Sequence, residues 1–600
     1  MIKKSVLLLL SLMIMLSSFA SFDVSAESEL EVPRITLTTE DGNGVNLKKS
    51  DGYVNATVNI ENIDGTTLCD NVVMKVRGNS TAFDSIKKKS YNFKFSKKKN
   101  VLNMGSGKKW ALISNVYDPT LARNYVALSI AKELGIQYTS DFKVVEVVVD
   151  GSFRGCYLLV EPIGTGKDRV DIDVDGNNGK NDFLVELEAT RVEDDVKYFT
   201  SNGLRFAVSE PDPPDDEQLS YIQSTMDEII NTIRNGTKEE IESKIDVESF
   251  TKFYLLNEYL KTVDFNFSSV FFYHKNGKLY AGPPWDYDLS SGNVNEKYSS
   301  WYASSYKTDG LFAKNYNLYK WLCQKSWFND LAKNELSVHC HYFANIASEN
   351  SVIDNYYNTY KNVINRNFTT AGWKPGTYYV NVMKVPLATY QDNYDFYVNW
   401  CKERSEWLIN YFEAEPIPNP RYEQLIEQSF SPDASDFNVN DFGLYEGFKY
   451  KGLDLLGVQL KSKNINANAV KFVGVISSEL LAKASDYGFV FTKTDKSTQE
   501  AKENADKLTV ENGHIYSCLD TKNTMTGDYG NPESDTSYKY VTIAINNIED
   551  NLAFVGRFYV VIDGVTYYAE YTDSSETVYN GCAGRLSDFG INFGDFIGEG

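Results

Sequence analysis

Two aspartates that flank a short hairpin are the residues of this sequence best placed to act together chemically. The first is Asp264, and residues 269–282 after it form two strand-like runs that turn at Asn276-Gly277, a dipeptide typical of tight hairpins. The second, Asp286, follows at once in the acidic run of residues 284–288. Because a hairpin returns the chain to the end where it started, the pattern predicts that Asp264 and Asp286 meet.

Carboxylates that meet in this way suit the transfer of a phosphoryl group. One of them can orient the attacking hydroxyl group, while another holds the Mg²⁺ or Mn²⁺ ion that neutralises the phosphate oxygens. Oxygen atoms are the ligands that these cations prefer. The alternative is that Trp285-Asp286-Tyr287-Asp288 forms a turn capped by its own aspartate side chains. These residues alone leave both interpretations open.

The elements that must position these carboxylates change from strands to helices along the chain. Up to Glu210 the patterns are mostly those of strands, with one helical stretch at residues 119–134. In the strand-like run at residues 90–95, alternation places Lys94 opposite to the buried face. The chain is then mostly helical to about residue 415. The sequence therefore predicts an α+β fold for this part.

A separate all-β domain is predicted at the end of the chain. Prolines at 416, 418 and 420 predict a stiff linker. Residues 436–600 contain strand-like runs such as residues 540–545 and 558–562, a pattern typical of a β-sandwich.

Composition and the first residues indicate an exported, acidic protein. Lys3 and Lys4 precede an apolar run that is too short to span a bilayer, and small residues at 24–26 would suit signal cleavage. We therefore expect a secretory signal peptide, a secreted or surface-associated product and no membrane span. The formal charge of −22 argues against nucleic acid as a partner. Seven scattered cysteines do not form a disulfide framework.

Several ordered motifs carry a resemblance to a known family. The motifs are Arg77-Gly78-Asn79-Ser80-Thr81, Lys88-Lys89-Ser90-Tyr91, Trp110 to Asn115 with Asp118 and Arg123-Asn124, Gly155 to Glu161, Trp285 to Asp288, and Trp400 with Arg404 and Trp407-Leu408. With these motifs, the chain resembles the spore-coat protein H (CotH) kinase family, an atypical branch of the protein-kinase-like fold, over roughly residues 30–415.

The resemblance implies a role for individual residues. It makes Asp264 the catalytic aspartate, and Asp286 and Asp288 metal ligands, with Ser269 at a position where the family generally has a metal-binding asparagine. It further implies that ATP is bound by the following residues: Arg77, Lys89 or Lys94 at the phosphates, and Glu161 and Ile163 in the stretch that contacts adenine.

The resemblance also implies a layout and a function. The expected layout is a signal peptide (1–26), a β-rich lead-in (27–75), a kinase-like β-rich lobe (76–210), a kinase-like helical lobe (211–415), a linker (416–435) and the all-β domain (436–600). The expected function is the transfer of the ATP γ-phosphate to Ser or Thr hydroxyls of an exported or surface protein. The alternative is a kinase-fold binding module whose C-terminal domain contacts polysaccharide, a cell-surface component or protein.

Overall fold

The computed structural model describes residues 30–175, 182–193, 195–375, 377, 379–427, 448–460, 469–518, 526–529, 537–545, 548 and 551–589. The chain divides into two compact units, one of Met1–Ala332 with Ile346–Leu408, the other of Lys333–Asn345 with Ile409–Gly600. The predicted signal peptide and residues 428–435 of the predicted linker lie outside the described residues. None of the helices in those ranges is long and apolar enough to cross a membrane.

Seven strands of the first unit close into a barrel. They are β1 (Arg34–Thr39), β2 (Val54–Glu61), β3 (Thr67–Arg77), β4 (Ser90–Asn100), β5 (Ser106–Ile113), β6 (Phe142–Val149) and β7 (Ser152–Val160). Their order is β1-β2-β3-β4-β5-β7-β6, and a parallel pairing of β1 with β6 closes the ring. Tyr91, Phe93 and Phe95 lie in the barrel core, whereas Lys94 is exposed, as alternation predicts. The boundary expected at residue 75 falls inside β3.

One helix lies between β5 and β6, and a five-stranded sheet is formed by strands that come after β7 in the chain. The helix is α1 (Arg123–Glu133), and the strands are β8 (Phe183–Leu187), β9 (Tyr198–Ser201), β10 (Leu204–Glu210), β11 (Val270–Lys275) and β12 (Lys278–Ala281). The sheet order is β12-β11-β8-β10-β9. β11 and β12 pair antiparallel, and Asn276 and Gly277 between them both have positive φ, as such turns require. The hairpin that the sequence predicts is therefore confirmed.

Helices account for most of the chain between β10 and residue 426. They are α2 (Asp216–Asn235), α3 (Lys238–Lys244), α4 (Val247–Leu260), α5 (Ser300–Tyr306), α6 (Tyr319–Leu322), α7 (Ser326–Val338), α8 (Cys340–Ala344), α9 (Val352–Thr369), α10 (Tyr390–Phe412) and α11 (Pro420–Ile426). The Asp246 side chain caps α4 by accepting a hydrogen bond from the Ser249 N–H. The helix α4 ends at Leu260, and the left-handed backbone of Lys261 after it turns the chain toward Asp264.

The second unit contains antiparallel sheets, and the two larger ones share an apolar core. Its strands are β13 (Leu453–Leu460), β14 (Val470–Ser477), β15 (Asp486–Thr494), β16 (His514–Ser517), β17 (Thr526–Tyr529), β18 (Tyr538–Ile545), β19 (Ala553–Ile562), β20 (Val565–Tyr568), β21 (Tyr571–Thr572), β22 (Val578–Tyr579) and β23 (Cys582–Gly584), with short helices α12 (Ser478–Leu481) and α13 (Thr498–Glu503). The two larger sheets have the orders β13-β14-β18-β17 and β16-β15-β19-β20. Phe472 of the first and Phe558 of the second share the core, so the two sheets bury their apolar faces together.

A fully buried ion pair anchors the helix that leads to Asp264. The Arg404 guanidinium in α10 donates to the Glu258 carboxylate in α4 at 2.8 Å and to the Glu258 carbonyl at 2.7 Å, and both side chains are 0% exposed. The same guanidinium donates to the carbonyls of Thr308 and Gly310. The four hydrogen bonds that the two terminal nitrogens of this buried guanidinium donate fix the end of α4 in place.

We expect Arg404→Met to lower the free energy of unfolding of the first unit by about 3–5 kcal/mol, because it leaves the Glu258 carboxylate buried without its partner. The measurement is urea denaturation followed by tryptophan fluorescence. Glu406→Ala, on the exposed side of the same helix, is the matched control and should change the value by less than about 0.5 kcal/mol. Equal effects of the two substitutions would contradict the prediction.

Candidate functional site

A cleft of about 730 Å³ lies in the first unit. Its wall includes residues from β3, β4, β5 and β8, from the loop before β11 and from the run after β12. Five carboxylates that line the cleft lie close to one another or to arginines of the same lining. They belong to Glu186, Glu188, Asp264, Asp286 and Asp288.

Asp264 is held in the cleft by its own backbone. It lies in a 3-10 turn (Val263–Asn266) directly after α4, and its carbonyl accepts hydrogen bonds from the N–H groups of Phe267 (2.9 Å) and Ser268 (2.8 Å). Burial and, second, the nearby Asp286 carboxylate raise the pKa of Asp264 well above its usual range. The sequence placed these two aspartates at one end of a hairpin, and the structure brings both into one cleft.

The turn after β12 adds two further carboxylates. Asp286 has a φ of 66°, a left-handed conformation that is uncommon for a residue other than glycine. Burial raises the pKa of Asp286, and Arg77, Arg191 and a hydrogen bond with Ser269 act against that rise. The pKa of Asp288 is raised well above its usual range, first by burial and then by Asp286 and Asp264. The three aspartates therefore repel each other in one small region.

Asn124 at the start of α1 fixes the backbone between Asp286 and Asp288. Its Oδ1 accepts a hydrogen bond from the Tyr287 N–H at 2.8 Å, and its Nδ2 donates to Asn115 Oδ1 at 2.9 Å. These groups are buried, so each bond replaces one that water would otherwise make. Asn293 adds a second anchor, since its Nδ2 donates to the Asp288 carbonyl at 2.7 Å.

Arg123, the neighbour of Asn124, holds the next part of the same turn. Its Nε donates to the Ser290 carbonyl at 3.0 Å and its Nη2 to the Ser291 carbonyl at 3.3 Å. The Asp118 carboxylate pairs with the Arg123 guanidinium and also accepts from the Arg123 N–H at 2.8 Å. The Asp118 and Arg123-Asn124 motif thus clamps the acidic turn to the beginning of α1.

A second acidic group in the cleft consists of Glu186 and Glu188, and both lie close to Arg191. Its guanidinium lies 2.8 Å from Glu186 and 3.6 Å from Glu188. The Glu186 carboxylate also accepts from the Ser269 N–H at 3.2 Å, and Glu188 from the Ser268 hydroxyl at 2.8 Å. These two glutamates therefore anchor the loop that follows Asp264.

Cations line the barrel side of the cleft. Arg77 lies 5.3 Å from the Trp285 ring and close enough to Asp286 and Asp288 for both to oppose the fall that burial causes in its pKa. Lys75, two residues earlier on β3, and Lys109 on β5 also line the cleft. Burial lowers the pKa of Lys109, and so do the nearby cations Lys75, Arg77, Arg169 and Lys94.

Four other residues were predicted from the sequence to bind the nucleotide, namely Lys89, Lys94, Glu161 and Ile163. Of these, Ile163 lines the cleft, whereas the other three lie outside its lining. The Lys89 ammonium is buried and donates to the carbonyls of Ala82 (3.0 Å) and Phe83 (2.6 Å), so it holds the loop before β4 and does not reach into the cleft. Lys94 is exposed beyond the cleft lining. The Glu161 carboxylate lies 3.5 Å from Arg169, outside the lining, and burial raises its pKa to about 7.

Sequence reasoning missed several residues of the cleft, although some left a signal. Lys75 shares the face of Arg77 by simple alternation on β3. Glu186 lies in the strand Phe183–Leu187, whose residues are all buried. A carboxylate within such a run indicates a nearby cation or hydrogen-bond donor that compensates for its burial. Arg191 left no comparable pattern, because it lies in a loop.

The donor set fits a divalent cation. Asp264, Asp286 and Asp288 offer only oxygen atoms, which suit Mg²⁺ or Mn²⁺, and their mutual repulsion would be relieved by a positive ion between them. In the described parts of the chain, no three His, Cys, Asp or Glu side chains already stand in coordinating positions. Among the described residues, the three aspartates are thus grouped by charge and by ligand type.

We expect Asn124→Ala to destabilise the first unit by about 2–4 kcal/mol, because it leaves the Tyr287 N–H and Asn115 Oδ1 buried without partners. Ser129→Ala on the same helix is the control. Its hydroxyl donates only to the Tyr125 carbonyl one turn earlier, so a change under about 0.5 kcal/mol is expected. Thermal unfolding of both variants measures these changes. An unchanged unfolding temperature of the Asn124→Ala variant would show that the clamp does not contribute to stability.

Comparison with known proteins agrees with the order of motifs along the chain. The profile of one family, described as CotH kinase protein, matches residues 74–408, which is more than half of the 600 residues. No curated protein matches the chain significantly. The matched segment contains Asp264, Asp286, Asp288 and the clamp formed by Arg123 and Asn124. The chain therefore belongs to the CotH kinase family.

Proposed function

We propose that the cleft transfers a phosphoryl group from ATP to the hydroxyl group of a Ser or Thr residue in a protein. Membership of the CotH kinase family implies the use of ATP. The observation that carries the proposal is the convergence of Asp264 and Asp286, from the two sides of one hairpin, opposite the Arg77 guanidinium. Phosphoryl transfer depends on positioning and charge more than on covalent chemistry, and this cleft supplies both.

The donor binds along the barrel side of the cleft. Arg77, Lys75 and Lys109 face the phosphates, and they replace Lys89 and Lys94 in the assignment made from the sequence. The nucleoside lies toward Pro162 and Ile163, which also line the cleft. Asp286 and Asp288, with Ser269, would hold Mg²⁺ or Mn²⁺, which when bound neutralises charge on the phosphate oxygens.

The acceptor is activated by Asp264. Its carboxylate makes no hydrogen bond to another side chain in the described parts of the chain, and it lines the cleft, so it is open to an incoming hydroxyl group. Asp264 orients that group and takes its proton as the oxygen attacks the terminal phosphorus. Arg77 stabilises the negative charge of the leaving phosphate oxygen, because its guanidinium stays charged in proteins.

The proposal extends to architecture and location. We assign the barrel to the β-rich lobe of an atypical bilobal kinase and the helices from α2 to α10 to its second lobe, and residues 436–600 to a separate β-sandwich domain. The basic and apolar first residues support export through a signal peptide, so the acceptor is an exported or surface protein. A polysaccharide-binding role for the C-terminal residues stays a prediction.

Two substitutions separate binding from transfer. Asp286→Asn should abolish the metal-dependent part of ATP binding in calorimetry, because it removes a charged ligand. Asp264→Asn should leave ATP binding nearly intact and slow the labelling of a Ser-rich protein by labelled ATP by about 10²–10⁴-fold. Asp495→Asn, an exposed residue of the second unit, is the control for both assays. Background labelling by the unaltered protein, equal to that of both variants, would overturn the proposal.

A substitution at Ser269 is expected to strengthen metal-dependent ATP binding, whereas those at Asp286 and Asp264 weaken binding or transfer. It has a φ of 58°, a left-handed conformation that asparagine tolerates better than serine does, and the family resemblance places an asparagine there. We expect Ser269→Asn to strengthen Mn²⁺-dependent ATP binding by about tenfold, since an amide oxygen joins the ligands and the backbone strain falls. Ser269→Ala, which loses the bond to Asp286, should weaken it. The reverse order of affinities in calorimetry would exclude Ser269 from the metal site.

A further inference from the structure

Phe83 is an exposed aromatic residue in the wall of the cleft. It is 59% exposed, although it belongs to the cleft lining. It directly follows the 3-10 turn Ser80–Ala82, in the loop between β3 and β4. Single apolar residues at a protein surface are common and need no explanation. A role for Phe83 therefore depends on how it is held and on what surrounds it.

The backbone of Phe83 is fixed by hydrogen bonds on both sides. Its N–H donates to the Ser80 carbonyl at 3.3 Å, and its carbonyl accepts from the Ile86 N–H at 2.9 Å. The same carbonyl and that of Ala82 accept from the buried Lys89 ammonium. A buried charge is costly unless hydrogen bonds compensate for it, and here the compensating carbonyls belong to the loop itself. Lys89 therefore fixes the backbone that presents the Phe83 ring to the cleft.

The loop before β4 is anchored at the end of the cleft that contains Asp264. Ile86 of this loop packs in one apolar cluster with Tyr117 and Tyr302, and Val382 packs against that cluster. Tyr117, Tyr302 and Val382 also line the cleft. Tyr302 lies close enough to Asp264 for the aspartate to contribute to the rise in the tyrosine's pKa. The loop thus borders the place where the acceptor hydroxyl group enters in the function proposed above.

The charged side chains beside Phe83 have partners of their own. The Asp84 carboxylate lies 3.2 Å from the Lys48 ammonium, and the Glu193 carboxylate lies 3.6 Å from that of Lys49. The Lys87 ammonium donates to the Asp84 carbonyl at 2.9 Å. Groups that are paired in this way offer little to a charged side chain of an acceptor, whereas an exposed aromatic ring gains from any apolar group that removes it from water.

We infer that the acceptor is a Ser or Thr residue with an apolar side chain close to it in the sequence, and that Phe83 binds this side chain. The inference rests on the kinase function proposed above. The acceptor hydroxyl group lies at Asp264 while the flanking apolar side chain packs on the Phe83 ring. Phe83 touches no reacting atom, so it decides which acceptor binds and not how fast the phosphoryl group is transferred. Lys89 acts through Phe83 as a positioning residue.

The test uses three peptides that differ only in the residues that flank a single serine. These flanking residues are Leu in the first peptide, Gln in the second and Lys in the third. With labelled ATP and Mg²⁺, the full chain should label the Leu peptide with a KM about tenfold below those of the other two, because burial of an apolar side chain supplies about this factor. A KM for the Gln or Lys peptide equal to or below that of the Leu peptide would overturn the inference.

Substitutions at Phe83 test its role directly. Phe83→Ser should raise the KM of the Leu peptide about tenfold and leave its kcat and the KM of ATP within about twofold. Phe83→Leu keeps an apolar side chain and should retain most of the preference. Ile63→Ser is the matched control and should change none of these values, since Ile63 is 58% exposed in the turn between β2 and β3, outside the cleft lining.

The remaining outcomes separate this inference from the kinase function. Equal effects of Phe83→Ser and Ile63→Ser would overturn the inference, and so would a lower kcat with an unchanged KM in Phe83→Ser, which would place Phe83 in the transfer step. If the Ser-rich protein is labelled and none of the peptides is, the inference is overturned and the kinase function stands. Labelling of no acceptor at all would remove both proposals.

Discussion

The crowding of three carboxylates in one cleft is the constraint on which the rest of the first unit depends. Besides burial, Asp286 raises the pKa of Asp264, and Asp286 and Asp264 raise the pKa of Asp288, so the folded chain holds a repulsion that an unfolded chain would not have. A cluster of like charges such as this persists only where the surrounding contacts fix the chain in place. The buried pair of Arg404 with Glu258 and the clamp at Arg123 and Asn124 supply that hold.

Each side of the hairpin is held by different means. The chain before Asp264 is fixed by α4, because Glu258 near the end of this helix forms a buried ion pair with Arg404. The Asp286 side is fixed from α1, whose first residues bind the turn through backbone groups. Because the anchors of both sides are buried and bonded to backbone, the distance between the two carboxylates is set by the fold and not by the flexibility of the side chains. The phosphoryl transfer proposed above depends on reacting groups that are held in place in this way.

The sequence predicts what local periodicity and turn chemistry determine, and little of what depends on distant contacts. The β11–β12 hairpin and the outward face of β4 follow from Asn276-Gly277 and from alternation. The role of Lys89 does not, because it depends on two carbonyls of the loop before β4 that capture its ammonium. Arg191 joins Glu186 only through the tertiary path of a loop. Neither the hydrophobic periodicity of the sequence nor the secondary-structure propensity of its residues indicates either contact.

Charge also divides the cleft into two ends of different character. Beyond Arg77 the wall on the donor side carries lysines. Around Asp264, the same cleft is lined by Tyr117, Tyr302 and Val382, and the pKa of Tyr302 is raised to a value far above its usual range by burial and then by Asp264. In the function proposed above, the anionic donor is drawn to the end that carries the lysines, and the uncharged hydroxyl group approaches Asp264 at the other end. This asymmetry of charge would orient the two substrates of the proposed transfer.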